Sequence, residues 1–115
     1  MKSIMFAKEY EELILKKRKL CTIRKGKRDF EIGEKVALYC NNKRIAIAKI
    51  ESIEYKKLSE ITEEDAKKDG FESKKALKKA LKKHYKKVRS KDMFTIIHFR
   101  LVRVLKSRTR RKKKK

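Results

Sequence analysis

The residues of this chain best equipped for chemistry are its cations. Residues 16–28, KKRKLCTIRKGKR, hold eight cationic side chains in thirteen positions and no acid: Lys16, Lys17, Arg18, Lys19, Arg24, Lys25, Lys27 and Arg28. The chemistry open to such a cluster is noncovalent, the gripping of phosphate oxygens with release of the counterions condensed around a polynucleotide. In its middle, LCTIR alternates without charge until its arginine and reads as a short strand. Thr22 and Arg24, two residues apart, would project to the same side of that strand. An arginine placed there can grip a carbonyl oxygen or a phosphate. The alternative is a strand with a merely solvated basic surface.

A second cluster lies on the segment SKKALKKALKKHY. Lys74, Lys78 and Lys82 form one row at four-residue spacing, and Lys75, Lys79 and Lys83 form another. Like charges at that spacing each cost roughly 0.2–0.5 kcal/mol in an isolated helix. No Glu interleaves them, although Glu is abundant elsewhere. A soluble lysine face is one reading; a face that binds phosphates without reading base sequence is the other. The third cluster is the terminal block KSRTRRKKKK, with Arg108, Arg110, Arg111, Lys112, Lys113, Lys114 and Lys115 as its nucleic-acid candidates. Such a block is an arm without structure of its own until it meets an anion. A nuclear-import signal has a similar composition.

These clusters sit in a chain of 115 residues with 38 Lys and Arg against 15 Asp and Glu, a net charge of +23. Removing the eight cations of residues 106–115 leaves 30 against 15, so the remainder still carries +15. Self-repulsion of that size makes a polyanionic partner the natural expectation. Cys21 and Cys40 form no C-x-x-C pair, and only His84 and His98 could join them, so metal-ligand spacing is absent. Two buried, reduced thiols and no cofactor or metal are expected. Nothing in the sequence points to a homo-oligomer. No apolar run suits a signal peptide or a membrane span, which favours a cytoplasmic protein without a membrane partner. The absence of Pro and Trp, with heavy Lys and Glu use, fits a thermophile.

The elements that must position the clusters follow from periodicity. Residues 2–6 read as an opening strand and 8–18 as a helix, with Tyr10, Leu13, Ile14 and Lys17 at helical spacing. After LCTIR comes IGEKVALYC, with a turn at Gly33 and with Val36, Leu38 and Cys40 toward the core. Asn41-Asn42 marks a hairpin, because Asn tolerates the left-handed backbone such turns need. RIAIAKIESIEY at 44–55 is a long strand that could carry a bulge. Thr62 and Asp65 form a capping-box pair for a short helix that stops at Gly70, and Ser73 caps the lysine helix. That helix has an apolar stripe of Ala76, Leu77, Ala80, Leu81 and His84. MFTIIHFRLVRVL is the closing strand, with Ile97, Phe99 and Leu101 alternating against His98 and Arg100. The order β-α-β-β-β-α-α-β implies an α+β fold, a small mixed β-barrel flanked by helices. The domain spans 1–105, and 106–115 is a polybasic arm.

The stretch Ile14-Leu15-Lys16-Lys17-Arg18-Lys19-Leu20-Cys21-Thr22-Ile23-Arg24, followed by Gly33-Glu34-Lys35-Val36, resembles the signature of ASCH domains, a branch of the PUA-like β-barrels. That signature reads I-L-x-G-x-K-x-x-T-I-R … x-x-G-D-x-V. LSEITEEDAKKDGFESKKALKKALKKHY looks like the family's second half and MFTIIHFRLV like its closing strand, so the resemblance covers residues 3–104. It implies a pseudo-barrel with a cleft between strands and helices, in a fold class associated with RNA binding. Some ASCH proteins remove the acetyl group from N4-acetylcytidine. By that resemblance Lys19 would be the proton acceptor, Thr22 the nucleophile, and Asp69, the acid before the Gly-Phe turn, the proton donor. A lysine serves as base only when burial or cationic neighbours favour its neutral form; Lys16, Lys17, Arg18 and Arg24 are the neighbours in sequence.

Two positions depart from the family pattern. Asp69 stands where Glu is expected, and one methylene can withdraw a proton donor by about an ångström. Lys17 stands where the loop has Gly and would crowd the cleft mouth. Ribonuclease activity has been proposed for other ASCH members, but His84 and His98 show no visible pairing. The sequence is therefore read as an RNA-binding PUA-like protein of an archaeal thermophile. Its expected partner is rRNA in a ribosomal subunit, contacted through residues 16–28, the lysine helix and the tail. The alternative is an N4-acetylcytidine amidohydrolase.

Overall fold

A computed structural model describes residues 1–105. The tail cations from Arg108 onward lie outside the described residues. Strand β1 (Lys2–Phe6) leads into a 3-10 turn (Lys8–Tyr10) and helix α1 (Glu11–Leu15). Strands β2 (Cys21–Lys25), β3 (Lys35–Cys40) and β4 (Lys43–Lys57) follow. A second 3-10 turn (Leu58–Glu60), helices α2 (Glu63–Lys68) and α3 (Lys74–His84), and strand β5 (Met93–Val104) complete the domain.

The five strands make one mixed sheet in the order β1-β3-β4-β5-β2. Only β1 and β3 run parallel. The sheet curls into a half-barrel, the PUA-like architecture. Asn41 and Asn42, at φ of 51° and 64°, turn β3 into β4 as their spacing predicts. The bulges anticipated in β4 lie between Ile47 and Ala48 and between Ile50 and Ser52. They bend a fifteen-residue strand so that one element serves both halves of the sheet.

The curl divides the interior. Ile4, Val36, Leu38, Cys40, Ile50, Ile97 and Phe99 pack inside it. Cys21, Ile23, Ile61, Leu77, Leu81, Phe94 and Ile96 form a second cluster between the sheet and α2 and α3. Phe94, Thr95, Ile96 and Ile97 are consecutive and all buried, because both faces of β5 are covered there. The alternation expected for Ile97, Phe99 and Leu101 against His98 and Arg100 holds, and the continuous burial lies before it. Cys21 and Cys40 are buried and unpaired, and burial pushes both thiols up, Cys40 to about 11.

One element is shorter than expected. The helix read over 8–18 ends at Leu15, because Lys17 takes a left-handed φ of 59°. Arg18 N donates to Leu13 O and Lys17 N to Ile14 O, a complete Schellman stop with Lys17 at the position that favours glycine. The same stop throws residues 18–20 back toward the sheet and sends Lys19 inward. Among the described residues no helix is long and apolar enough to cross a membrane.

Candidate functional site

Lys19, Thr22, Arg24 and Asp69 meet at one cavity of about 400 Å³, between the β1–β2 side of the sheet and the inner face of α3. Each is placed by a distinct element. The Schellman stop delivers Lys19. Strand β2 delivers Thr22 and Arg24 on one face. The end of α2 delivers Asp69, which occupies its C-cap. Gly70 then turns away at φ 92°; a Cβ there would stand 3.2 Å from Leu13 Cδ1 and 3.6 Å from the Lys19 Cβ. Glycine takes this left-handed turn without strain and without pressing on Leu13, which lets the acid approach the lysine.

Lys19 and Asp69 are each 3% exposed. The Lys19 ammonium donates to an Asp69 carboxylate oxygen and, at 2.9 Å, to the Asp69 main-chain carbonyl. The aspartate is thus long enough to reach its partner, so the missing methylene does not open the pair. Burial pushes the Asp69 carboxyl up to about 6 against the pull of Lys19 and Arg24. An acid in that range exchanges its proton near neutral pH.

Arg24 is a clamp. Its Nε donates to Thr22 Oγ1 at 2.8 Å, and a terminal nitrogen donates to the Met5 carbonyl at 2.7 Å. Thr22 lies on one edge strand of the half-barrel and Met5 on the other, so this guanidinium ties the two edges across the opening. It also lies 4.9 Å from the Phe6 ring centroid. Thr22, 3% exposed, accepts from Arg24 and keeps its hydroxyl proton for another acceptor.

The wall around this polar group is aromatic. The Lys19 ammonium lies 4.9 Å from the Tyr10 centroid, 5.6 Å from Phe6 and 5.8 Å from Phe71. A desolvated ammonium held by ring faces gains cation–π energy on the order of 2 kcal/mol. The Tyr10 hydroxyl and His84 Nε2 are 3.3 Å apart, which joins the turn before α1 to the end of α3. Burial raises the Tyr10 phenol above its usual value. Sequence reasoning singled out none of Phe6, Tyr10 and Phe71 as site residues. Tyr10 showed only as part of a helical stripe, and Phe71 only as half of the Gly-Phe turn.

The remaining sequence candidates divide by exposure. Lys16, Lys17, Arg18, Lys27 and Arg28 are exposed, as are Lys75, Lys78, Lys79, Lys82 and Lys83; Lys74 is half-buried. Lys25 is half-buried against Asp92, at 3.5 Å. Lys19 does not belong to the outer phosphate-binding set, because it opens only onto cavities. Of the four cations expected around it, Arg24 lines the cavity where Lys19 meets Asp69, and Lys17 shares only a second hollow with it. Lys17 does not crowd this cleft, but lines a different hollow of about 580 Å³ beside β4 and β5.

No curated protein sequence matches the chain. Among solved structures, the fold superposes on an ASCH domain from Lactobacillus crispatus JV V101 with a TM-score of 0.71 at 19% identity, over 89% of this chain and 79% of that one. Protein EF3133 from Enterococcus faecalis V583 gives 0.71 at 14% identity, over 91% and 82%. An ASCH protein from Zymomonas mobilis gives 0.67 at 10%, over 96% and 77%. At these identities the structures attest the fold. The family itself is shown by the sequence profile of the ASCH domain, which matches residues 2–103, and this chain belongs to the ASCH domain family.

Proposed function

We propose that this protein binds RNA, gripping phosphates along the outer face of α3 and the basic segments at 16–18 and 25–28. The observation that carries this reading is the state of the α3 lysines. Lys75, Lys78, Lys79, Lys82 and Lys83 are exposed, and among the described residues none has an acidic partner within ion-pair distance. Free, like-charged rows weaken a helix unless a polyanion neutralises them. The inner face of the same helix, through Leu81, His84 and Tyr85, lines the aromatic cavity, so phosphates held outside would bring bases to its mouth. Replacing Lys78, Lys79, Lys82 and Lys83 together by Gln should weaken RNA binding at least tenfold at moderate salt; unchanged affinity overturns the reading. We further propose rRNA in a ribosomal subunit as the partner. Sedimentation of lysate on a sucrose gradient should then place the protein with the subunits after a moderate salt wash, and recovery in the top fractions alone would exclude it.

A second reading is favoured by the buried Lys19–Asp69 pair beside Thr22. In an amidohydrolase acting on N4-acetylcytidine, Asp69 would take the Lys19 proton, and neutral Lys19 would accept the Thr22 proton. Thr22 Oγ1 would attack the acetyl carbonyl, and Asp69 would return its proton to the departing cytosine nitrogen. Water would then hydrolyse the acetyl ester on Thr22, releasing acetate and restoring the hydroxyl. Arg24, already bonded to Thr22 and Met5, would orient the nucleophile. Incubation with N4-acetylcytidine should release acetate, and Thr22→Ala should abolish release; no turnover by the wild type excludes this chemistry.

A further inference from the structure

We infer that Tyr55 and Lys27 form a stacking platform for one unpaired nucleotide outside the cleft; this rests on the RNA-binding reading and adds to it a preference for single strands. The bulge between Ile50 and Ser52 resets the side-chain parity of β4. Beyond it, Lys56 reaches Asp65 on α2 at 2.8 Å, while Ile53 packs against the core inside the curl. Tyr55, two residues past Ile53, continues that face beyond the end of the core and is 44% exposed. An aromatic ring left this open on a strand has apolar area to cover. The adjacent Met93 is 38% exposed and enlarges the same surface.

The surroundings say what covers it. The Lys27 ammonium stands 5.9 Å from the Tyr55 centroid, and Lys57 follows on the same face. Gly26 N donates to the Met93 carbonyl at 2.8 Å, which fixes the basic loop 25–28 against this corner. Of the two acids beside the loop, Asp92 is engaged by Lys25 and by Arg89 N, and Asp29, next to Arg28 in the chain, lies 3.9 Å from the Lys2 ammonium. An exposed ring bordered by uncompensated cations matches a base beside its phosphate, since every base offers a π-face and every nucleotide an anion. The loop also sets a direction. Arg28 N donates to Thr95 Oγ1 at 3.2 Å, and its guanidinium reaches the Tyr85 hydroxyl at 3.5 Å. Tyr85 lines the cleft. The loop therefore spans from the platform to the cleft mouth, and a strand stacked on Tyr55 would run along cations toward it. A duplex keeps its bases stacked on one another and cannot offer a face to Tyr55.

The test compares full-length wild type, Tyr55→Ala and Tyr55→Phe by fluorescence anisotropy, with a short labelled single-stranded RNA and with the duplex made from it. Tyr55→Ala should weaken single-strand binding about fivefold or more. It should change duplex affinity less than twofold and leave the salt dependence intact, while Tyr55→Phe, which keeps the ring, binds like wild type. Equal losses for both RNAs overturn the platform. So does an unchanged single-strand affinity in a protein whose α3 lysine variant has lost binding, an outcome that leaves RNA binding standing. Wild type that binds neither RNA overturns both readings.

Discussion

Replacing Lys19 by Met should destabilise the fold by about 1–3 kcal/mol at pH 7, replacing Asp69 by Val by about 3–5, and doing both by no more than about 2. The magnitudes follow from the burial of both groups at 3% exposure. Without Lys19, the Asp69 carboxylate is a buried anion with only Arg24 nearby. Its escape is to take up a proton, which from an ordinary value of 3.8 costs at most about 4 kcal/mol at pH 7; the wild type, with its carboxyl near 6, already bears about 3 of this, so the variant adds at most about 1.5. Without Asp69, Lys19 is a buried cation that has lost its partner, the case in which removing one member of a buried pair is most destabilising. The double variant buries neither charge and leaves only the Asp69 carbonyl, bonded to Lys19 at 2.9 Å, short of a donor. Urea denaturation of the four proteins closes the cycle, with a coupling of several kcal/mol. A pH series checks the sign. The native carboxyl sits near 6, above its unfolded value, so ionising it costs the wild type stability as pH rises from about 4 to 6. The Lys19→Met penalty should shrink by about 1 kcal/mol from pH 7 to pH 5, because keeping the variant's carboxyl neutral becomes cheaper faster than the wild type's own cost falls. Additive single effects, or singles below about 1 kcal/mol, would refute the buried-pair account.

Gly70→Ala should cost roughly 1–3 kcal/mol, since alanine must adopt φ 92° and push on Leu13 and Lys19; the measure is thermal or urea unfolding. Lys17→Gly should be neutral or stabilising by up to about 1 kcal/mol, because glycine takes the Schellman position without the left-handed penalty, offset by its unfolded-state entropy. Arg24→Gln should speed hydrogen exchange along β1 and β2 relative to β3 and β4, because the tie from Thr22 to Met5 is lost; uniform exchange would show that Arg24 does not hold the edges.

The local chemistry of the sequence carried most of the fold. Asn41-Asn42, the Thr62/Asp65 box, Ser73 and Gly70 each fixed a boundary through interactions spanning a few residues. Two features escaped because they depend on distant partners. The continuous burial of residues 94–97 reflects α2 and α3 packing behind β5, which no period-2 pattern can announce. The early end of α1 turns on a lysine in a glycine's conformation, a choice visible only through the family comparison. The site divides similarly. Thr22 and Arg24 sharing a face is local geometry. The aromatic cage joins Phe6, Tyr10 and Phe71 to Lys19 from three separate segments, and only the folded chain assembles it.

On the RNA-binding proposal, the excess positive charge is there to be neutralised by polyphosphate. The direct measurement is the affinity of the full-length protein for single-stranded RNA across a potassium chloride series. Log affinity should fall linearly with log salt with a slope of about −4 or steeper, corresponding to six or so phosphates contacted. A slope near zero, or no binding at low ionic strength, would contradict it.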